Sequence, residues 1–171
     1  MRQLILMRHA QAVGAAPSGG DRERALSPAG RTQAVLAGRA LKDRGVRPDL
    51  AIVSAARRTR ETWTGVADGL GLDPAPPWLE VDAALYNADA AALRRKVEGA
   101  EERCESLVLI AHNPGVHQLA FDLLSDGGAS DQLLDRVRAG FAPATAVLFL
   151  VDAAGRCTYD GIIQPDETDR T

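Results

Sequence analysis

The chain has 171 residues, of which 46 % are apolar and 25 % charged, with a formal net charge of −3. This is the balance of a soluble globular protein with enough interior for one real core. It argues against a basic nucleic-acid-binding face, and no stretch approaches the roughly 20 apolar residues of a membrane span. Between Met1-Arg2-Gln3 and Arg8 stand only the apolar residues Leu4 to Met7, too few for a secretory signal. Cys104 and Cys157 stand alone, without metal or redox spacing. A cytoplasmic protein with two free thiols is the expectation.

In chain order, Leu4 to Met7 reads as a short buried strand. Residues 14–24 form a polar, Gly-rich loop. Ser27-Pro28 then opens a helix, with Ser as N-cap and Pro at the first helical position, and Gly45 is its stop. Leu50 to Val53 is a second buried strand ending at Ser54, followed by a helix over 57–70 that stops near Gly69 or Gly71. Asp73-Pro-Ala-Pro-Pro77 is irregular, because proline removes backbone donors and fixes φ. Trp78 to Val81 is predicted as a short strand and the Ala-rich segment Ala88 to Arg103 as a helix. Leu107 to Ile110 is a further strand, stopping at Ala111-His112-Asn113-Pro114-Gly115. A helix from Val116 to Leu124, a polar loop from Ser125 to Asp131 and a weaker segment at 132–138 follow. Ala146 to Val151 and Thr158 to Ile163 pair as a hairpin.

Strands that are continuous apolar runs, alternating with helices, predict an α/β fold: a mostly parallel central sheet with helices on both faces and antiparallel strands at one edge. One domain over 1–163 with a polar tail at 164–171 is expected.

In open α/β sheets, sites form beyond the carboxyl ends of the strands. The first strand ends in Arg8-His9. The second ends in Ser54, with Arg57, Arg58 and Arg60 opening the next helix, and the fourth ends in His112-Asn113. Each alone reads as an ordinary half-buried histidine or a solvated helix face. Together they bring histidines and arginines to one sheet edge. Guanidinium forks match phosphate oxygens bidentately, and a neutral imidazole is a nucleophile that can carry a covalent intermediate. A metal site is the weaker alternative, since arginines beside a cation repel it and His117 lies on the following helix. There is no P-loop and no GxGxxG.

The motif Leu-Met-Arg-His-Ala at 6–10 resembles the Arg-His-Gly signature of the histidine phosphatase superfamily, the phosphoglycerate mutase-like group. Ser54-Ala-Ala-Arg-Arg-Thr-Arg-Glu-Thr62 resembles its Ser-Pro-x-x-Arg-Ala-x-Gln-Thr segment, which places the second arginine at Arg58 rather than Arg57. Ile110 to Pro114 resembles the second-histidine segment. Asp21-x-x-Arg24-Ala-Leu-Ser-x-x-Gly30 and Leu85-Tyr-Asn-Ala88 resemble the small SixA-type phosphohistidine phosphatase branch. The resemblance implies that His9 is the nucleophile, that Arg8 and Arg58 clamp the phosphoryl oxygens and that His112 completes the pocket. Arg24 and the main chain of Asn113 are further phosphate-binding candidates. It implies no metal and no organic cofactor.

Larger members of the superfamily carry an acidic proton donor, for which Glu80 and Asp82 are the candidates here. Without an acid, a poor alkoxide leaving group loses about 10²–10⁴-fold, whereas imidazole, with a pKa of about 6.5, can leave neutral. The expected function is therefore a phosphatase acting through a phosphohistidine intermediate on phosphohistidine in a protein, with a pocket left open by the short chain. The alternatives are a phosphomonoesterase on a small phosphorylated metabolite and a non-catalytic phosphate-binding module.

Overall fold

A computed structural model of the chain describes residues 1–165. Residues 166–171, most of the tail expected at 164–171, lie outside the described residues. The elements in chain order are β1 (Gln3–Arg8), α1 (Pro28–Asp43), β2 (Leu50–Ser54), α2 (Arg57–Leu70), β3 (Leu79–Asp82), α3 (Ala90–Glu98), β4 (Ser106–Ala111), α4 (Gly115–Asp126), α5 (Asp131–Ala139), β5 (Ala146–Val151) and β6 (Cys157–Ile163).

The helix ends follow local chemistry. Ser27 caps α1 by accepting from Gly30 N at 3.0 Å. Gly71 closes α2 in the left-handed conformation, at φ 77°. Three predicted segments shift. The helix expected over Ala88 to Arg103 is shorter, because Asp89 takes the N-cap position, its carboxylate accepting from Ala92 N, and the chain leaves the helix at Gly99. The weak segment at 132–138 is a helix, since Ser130 caps Leu133 N and moves the start of α5 back to Asp131. The strand expected at Trp78 to Val81 is displaced by one residue, to Leu79–Asp82.

The six strands form one sheet in the order β3-β2-β4-β1-β5-β6. β3, β2, β4 and β1 run parallel, and β5 and β6 add antiparallel strands at one edge. Successive side chains on a strand point to opposite faces, and β1 shows this directly. Leu4 and Leu6 pack with Leu93 of α3, Leu119 of α4 and Val137 of α5. Ile5 and Met7 pack with Ala34 and Leu41 of α1 and with Trp63 and Val66 of α2. Both faces are thus covered, which is why the central strands carry no polar alternation. No helix among the described residues is long and apolar enough to cross a membrane.

β4 lies between β1 and β2, so the three carboxyl ends that carry chemistry are adjacent. α2 is held in place by unusually close packing on α1. A Cβ on Gly38 would lie 2.3 Å from the carbonyl oxygen of Val66, and one on Gly69 would lie 2.3 Å from that of Val35. In Gly38→Ala the gain of about 1 kcal/mol in helix propensity is outweighed by overpacking, typically 1–3 kcal/mol, because backbone meets backbone. The expected outcome is a net loss of up to about 2 kcal/mol, read as a lower midpoint in urea unfolding.

Candidate active site

β1 ends by handing His9 to its neighbours on both sides. The His9 amide donates to the Ala111 carbonyl at the end of β4 (3.1 Å), and its own carbonyl accepts from Ala144 N (3.1 Å) just before β5. The next amide, of Ala10, donates to Thr62 Oγ1 of α2 at 3.0 Å, and that hydroxyl donates to the Arg58 carbonyl at 2.6 Å. The nucleophile candidate is therefore tied to three elements. Ala10, in the position of the signature glycine, is not among the residues with positive φ, so the exchange carries no backbone strain.

The His9 ring is oriented at both nitrogens. Nδ1 lies 2.8 Å from the Ala10 carbonyl oxygen, and Arg58 Nε donates to Nε2 at 3.3 Å. A carbonyl accepts only from N–H, and a guanidinium N–H needs an acceptor, so the proton is assigned to Nδ1 and the lone pair to Nε2. Burial, followed by the charges of Arg58, Arg8 and Arg24, pulls the His9 pKa down to about 4 against the pull of the Ala10 carbonyl.

His112 leaves the end of β4, its ring centroid 5.3 Å from that of His9. Its Nε2 lies 2.8 Å from Ser54 Oγ, at the end of β2. Burial, the neighbouring His9 and Arg58 depress its pKa to about 3, with Asp21 opposing.

The arginines divide as the sequence motif implies. Arg58 is 5 % exposed and lies against His9. Arg57 turns away to Glu61 Oε1 (2.8 Å), a carboxylate that offsets the unfavourable place of a cation in the first turn of a helix. Glu61 also receives Leu26 N at 2.8 Å and pairs with Arg31 at 3.4 Å. Arg8 Nη1 donates to the Phe141 carbonyl at 2.8 Å. The Asn113 side chain donates to the same carbonyl at 3.1 Å, so it braces the Arg8 side of the site. Arg24 enters the cluster through Asp21 Oδ1 at 3.1 Å. Among the described residues, Arg8 Nε, Arg24 Nε and His112 Nδ1 are buried with no hydrogen-bond partner. Such groups are expensive unless a ligand satisfies them.

Two candidates stay outside the site. Glu80 and Asp82 do not join this cluster. Glu80 is paired with Arg103, and Asp82 is held by Lys96 Nζ at 2.6 Å and by Ala84 N at 2.8 Å. Those bonds keep the Asp82 carboxyl below its usual range, the opposite of what a proton donor needs. The two histidines are also well covered: His9 is 8 % exposed and His112 4 %. The loop after β1 folds back so that Asp21 lies on Arg58 and receives the Tyr86 hydroxyl at 2.6 Å, while the Tyr86 ring meets His112 edge-on at 5.6 Å. Asp21 and Tyr86 are the site residues that sequence reasoning passed over. Both stand inside motifs that mark the branch, but nothing in those motifs says which way the side chains turn. His117 stays outside, stacked on Phe141 at 5.4 Å.

Comparison with known proteins bears on the family and the fold. A family model described as the histidine phosphatase superfamily (branch 1) matches residues 4–139. A 2,3-bisphosphoglycerate-dependent phosphoglycerate mutase from Chelativorans sp. (strain BNC1) is 42 % identical over 88 residues, which covers 50 % of this chain and 42 % of that protein. The match thus spans less than half the length of that curated relative. A structure from Agrobacterium tumefaciens, assigned as a SixA phosphohistidine phosphatase, superposes with a TM-score of 0.79 at 25 % identity, over 96 % of this chain and 99 % of that one. The fold is shared as well with the protein histidine phosphatase SixA complexed with tungstate, with a TM-score of 0.79 at 24 % identity over 98 % and 99 % of the two chains. With its motif residues gathered at one sheet edge and the family model spanning 4–139, this chain belongs to the histidine phosphatase superfamily.

Proposed function

We propose that the chain is a phosphatase that works through a phosphohistidine on His9 and removes phosphate from phosphohistidine in a protein. One observation carries the reading: the lone pair of a buried, neutral His9 Nε2 stands beside Arg58, and no carboxyl group at the cluster is available as a proton donor. Among the described residues, the carboxylate that reaches the arginines there is Asp21, and the bonds from Tyr86 and Arg58 hold it below the usual carboxyl range.

In the first step His9 Nε2 attacks phosphorus, forming a P–N bond as the substrate's P–N bond breaks. A substrate imidazole that carries a proton on its other nitrogen leaves neutral. Water then attacks the phosphorus of phospho-His9, the new P–N bond breaks, and inorganic phosphate is released. Arg8, Arg58 and Arg24 balance the charge on the phosphoryl oxygens, and His112 donates from Nδ1 to one of them. The main-chain N–H of Asn113 is a further donor in this reading. The cycle needs no metal ion or organic cofactor, and a phosphorylated protein in the cytoplasm is the partner it implies. The Agrobacterium tumefaciens likeness supports the substrate class.

The phosphoglycerate mutase match favours a second reading, a phosphomonoesterase on a small phosphorylated metabolite. The two separate in one assay in EDTA: a phosphohistidine peptide against alkyl, sugar and nucleoside monophosphates. Fast release from the peptide and slow release from the monoesters is expected; preference for a monoester overturns the phosphohistidine reading. No turnover of any substrate would leave a phosphate-binding module.

His9→Ala abolishes turnover but still binds tungstate in calorimetry; wild-type turnover in that variant contradicts the mechanism. Arg58→Ala lowers kcat/KM by about 10²–10³-fold, the scale of one lost oxyanion donor, whereas Arg57→Ala changes it little. The reverse order would show that Arg57 faces the substrate. In an NMR titration of the ligand-free protein, the His9 ring stays neutral from pH 7 down to about 4. A midpoint at the ordinary 6.5 would mean that the ring is neither desolvated nor pressed by the arginines.

A further inference from the structure

The Arg58 guanidinium has two usable edges. The end edge, Nη1 and Nη2, is taken by a single residue: Nη1 donates to the Asp21 carbonyl oxygen at 2.7 Å and Nη2 to Asp21 Oδ2 at 3.0 Å. The side edge carries Nε–H and a second N–H on Nη2, and it faces His9 Nε2. A free arginine side chain samples many rotamers. Here that freedom is removed before any ligand arrives.

The residue that removes it is itself fixed. The Tyr86 hydroxyl donates to the same Oδ2 at 2.6 Å, and Arg24 Nη1 bonds Oδ1 at 3.1 Å. The Tyr86 ring is held between His112 on its edge and the Arg22 guanidinium 4.3 Å above its centroid. Asp21 thus links the loop after β1, helix α2 and the segment after β3 at one carboxylate.

We propose that Asp21 is a positioning residue that holds Arg58 with its side edge turned to the phosphoryl group on His9. The proposal rests on His9 and Arg58 being the phosphoryl site, not on which substrate delivers the phosphate. Asp21 touches neither His9 nor the transferred group in this role. It fixes the donor pair Nε and Nη2 so that both meet equatorial oxygens as charge develops, which favours the transition state over the ground state.

A double-mutant cycle tests it. Wild type, Asp21→Ala, Arg58→Ala and the double variant are compared in kcat and KM with p-nitrophenyl phosphate. Their affinity for orthovanadate, a trigonal-bipyramidal mimic, is measured by calorimetry. Asp21→Ala is expected to lower kcat and vanadate affinity about 10–30-fold with KM moved less than about threefold, and to have almost no further effect on Arg58→Ala. Equal losses in the two backgrounds would show that Asp21 acts independently of Arg58 and overturn the proposal, as would unchanged vanadate affinity in Asp21→Ala.

Tyr86→Phe, which removes only the hydroxyl, serves if Asp21→Ala does not fold. A loss of about threefold in vanadate affinity that vanishes in the Arg58→Ala background is expected; a loss that persists there overturns the proposal. Because vanadate affinity needs no turnover, the cycle reads out even if the phosphohistidine substrate class fails.

Discussion

Two imidazoles with ring centroids 5.3 Å apart, beside Arg8, Arg24 and Arg58, can share one buried site only if both rings are uncharged. Like charges at such spacing in a poorly solvated place repel strongly. The protein meets this constraint by desolvating both rings, which moves His9 to about 4 and His112 to about 3. In the proposed mechanism the same neutrality leaves His9 Nε2 the lone pair with which it attacks phosphorus. Electrostatic stability and chemical competence therefore have one cause, and the surrounding arginines serve both. They deter protonation of the rings and present donors to an anion.

The sheet order makes the constraint reachable with few residues. β4 lies between β1 and β2, so His9, His112 and Ser54 leave three neighbouring strand ends. α2 starts immediately after β2 and carries Arg58 back over the edge. Its close glycine contacts with α1 leave it little room to drift. The antiparallel edge contributes as well: the carbonyls of Phe141 and Thr145, just before and just after the turn that leads into β5, hold the Arg8 side chain and its main-chain amide.

Much of this was legible in the sequence, because apolar runs ending in Arg-His, Ser and His-Asn report directly where strands leave the core. The choice of Arg58 over Arg57 was legible too, since the spacing from Ser54 to Thr62 sets which arginine turns inward. What was hidden depends on long-range contacts. Glu80 and Asp82 were no more than candidates from their place at a strand end, and Arg103 and Lys96 are what draw them away from the site. Asp21 lies in a polar loop with no periodicity, and only the folded-back chain shows it against Arg58. The burial of the two histidines has the same origin: chain length says nothing of a loop and a tyrosine that fold in beside them. The length of α3 was misjudged because alanine content says nothing of where a helix stops, whereas Asp89 and Gly99 do.

The 3.3 Å contact between Arg58 Nε and His9 Nε2 has a meaning beyond orientation. Once a phosphoryl group is bonded to Nε2, that nitrogen has no lone pair to offer, and the N–H that rested on it must find another acceptor. The nearest new acceptors are the oxygens that arrived with phosphorus. One donor thus swaps a ring nitrogen for a phosphoryl oxygen, and the tally of satisfied groups is the same before and after transfer. If His9 carries the phosphoryl group as proposed, the resting protein is a rehearsal of that intermediate: the arginine already stands beside the atom to be phosphorylated, and the exchange calls for a short reorientation rather than a search.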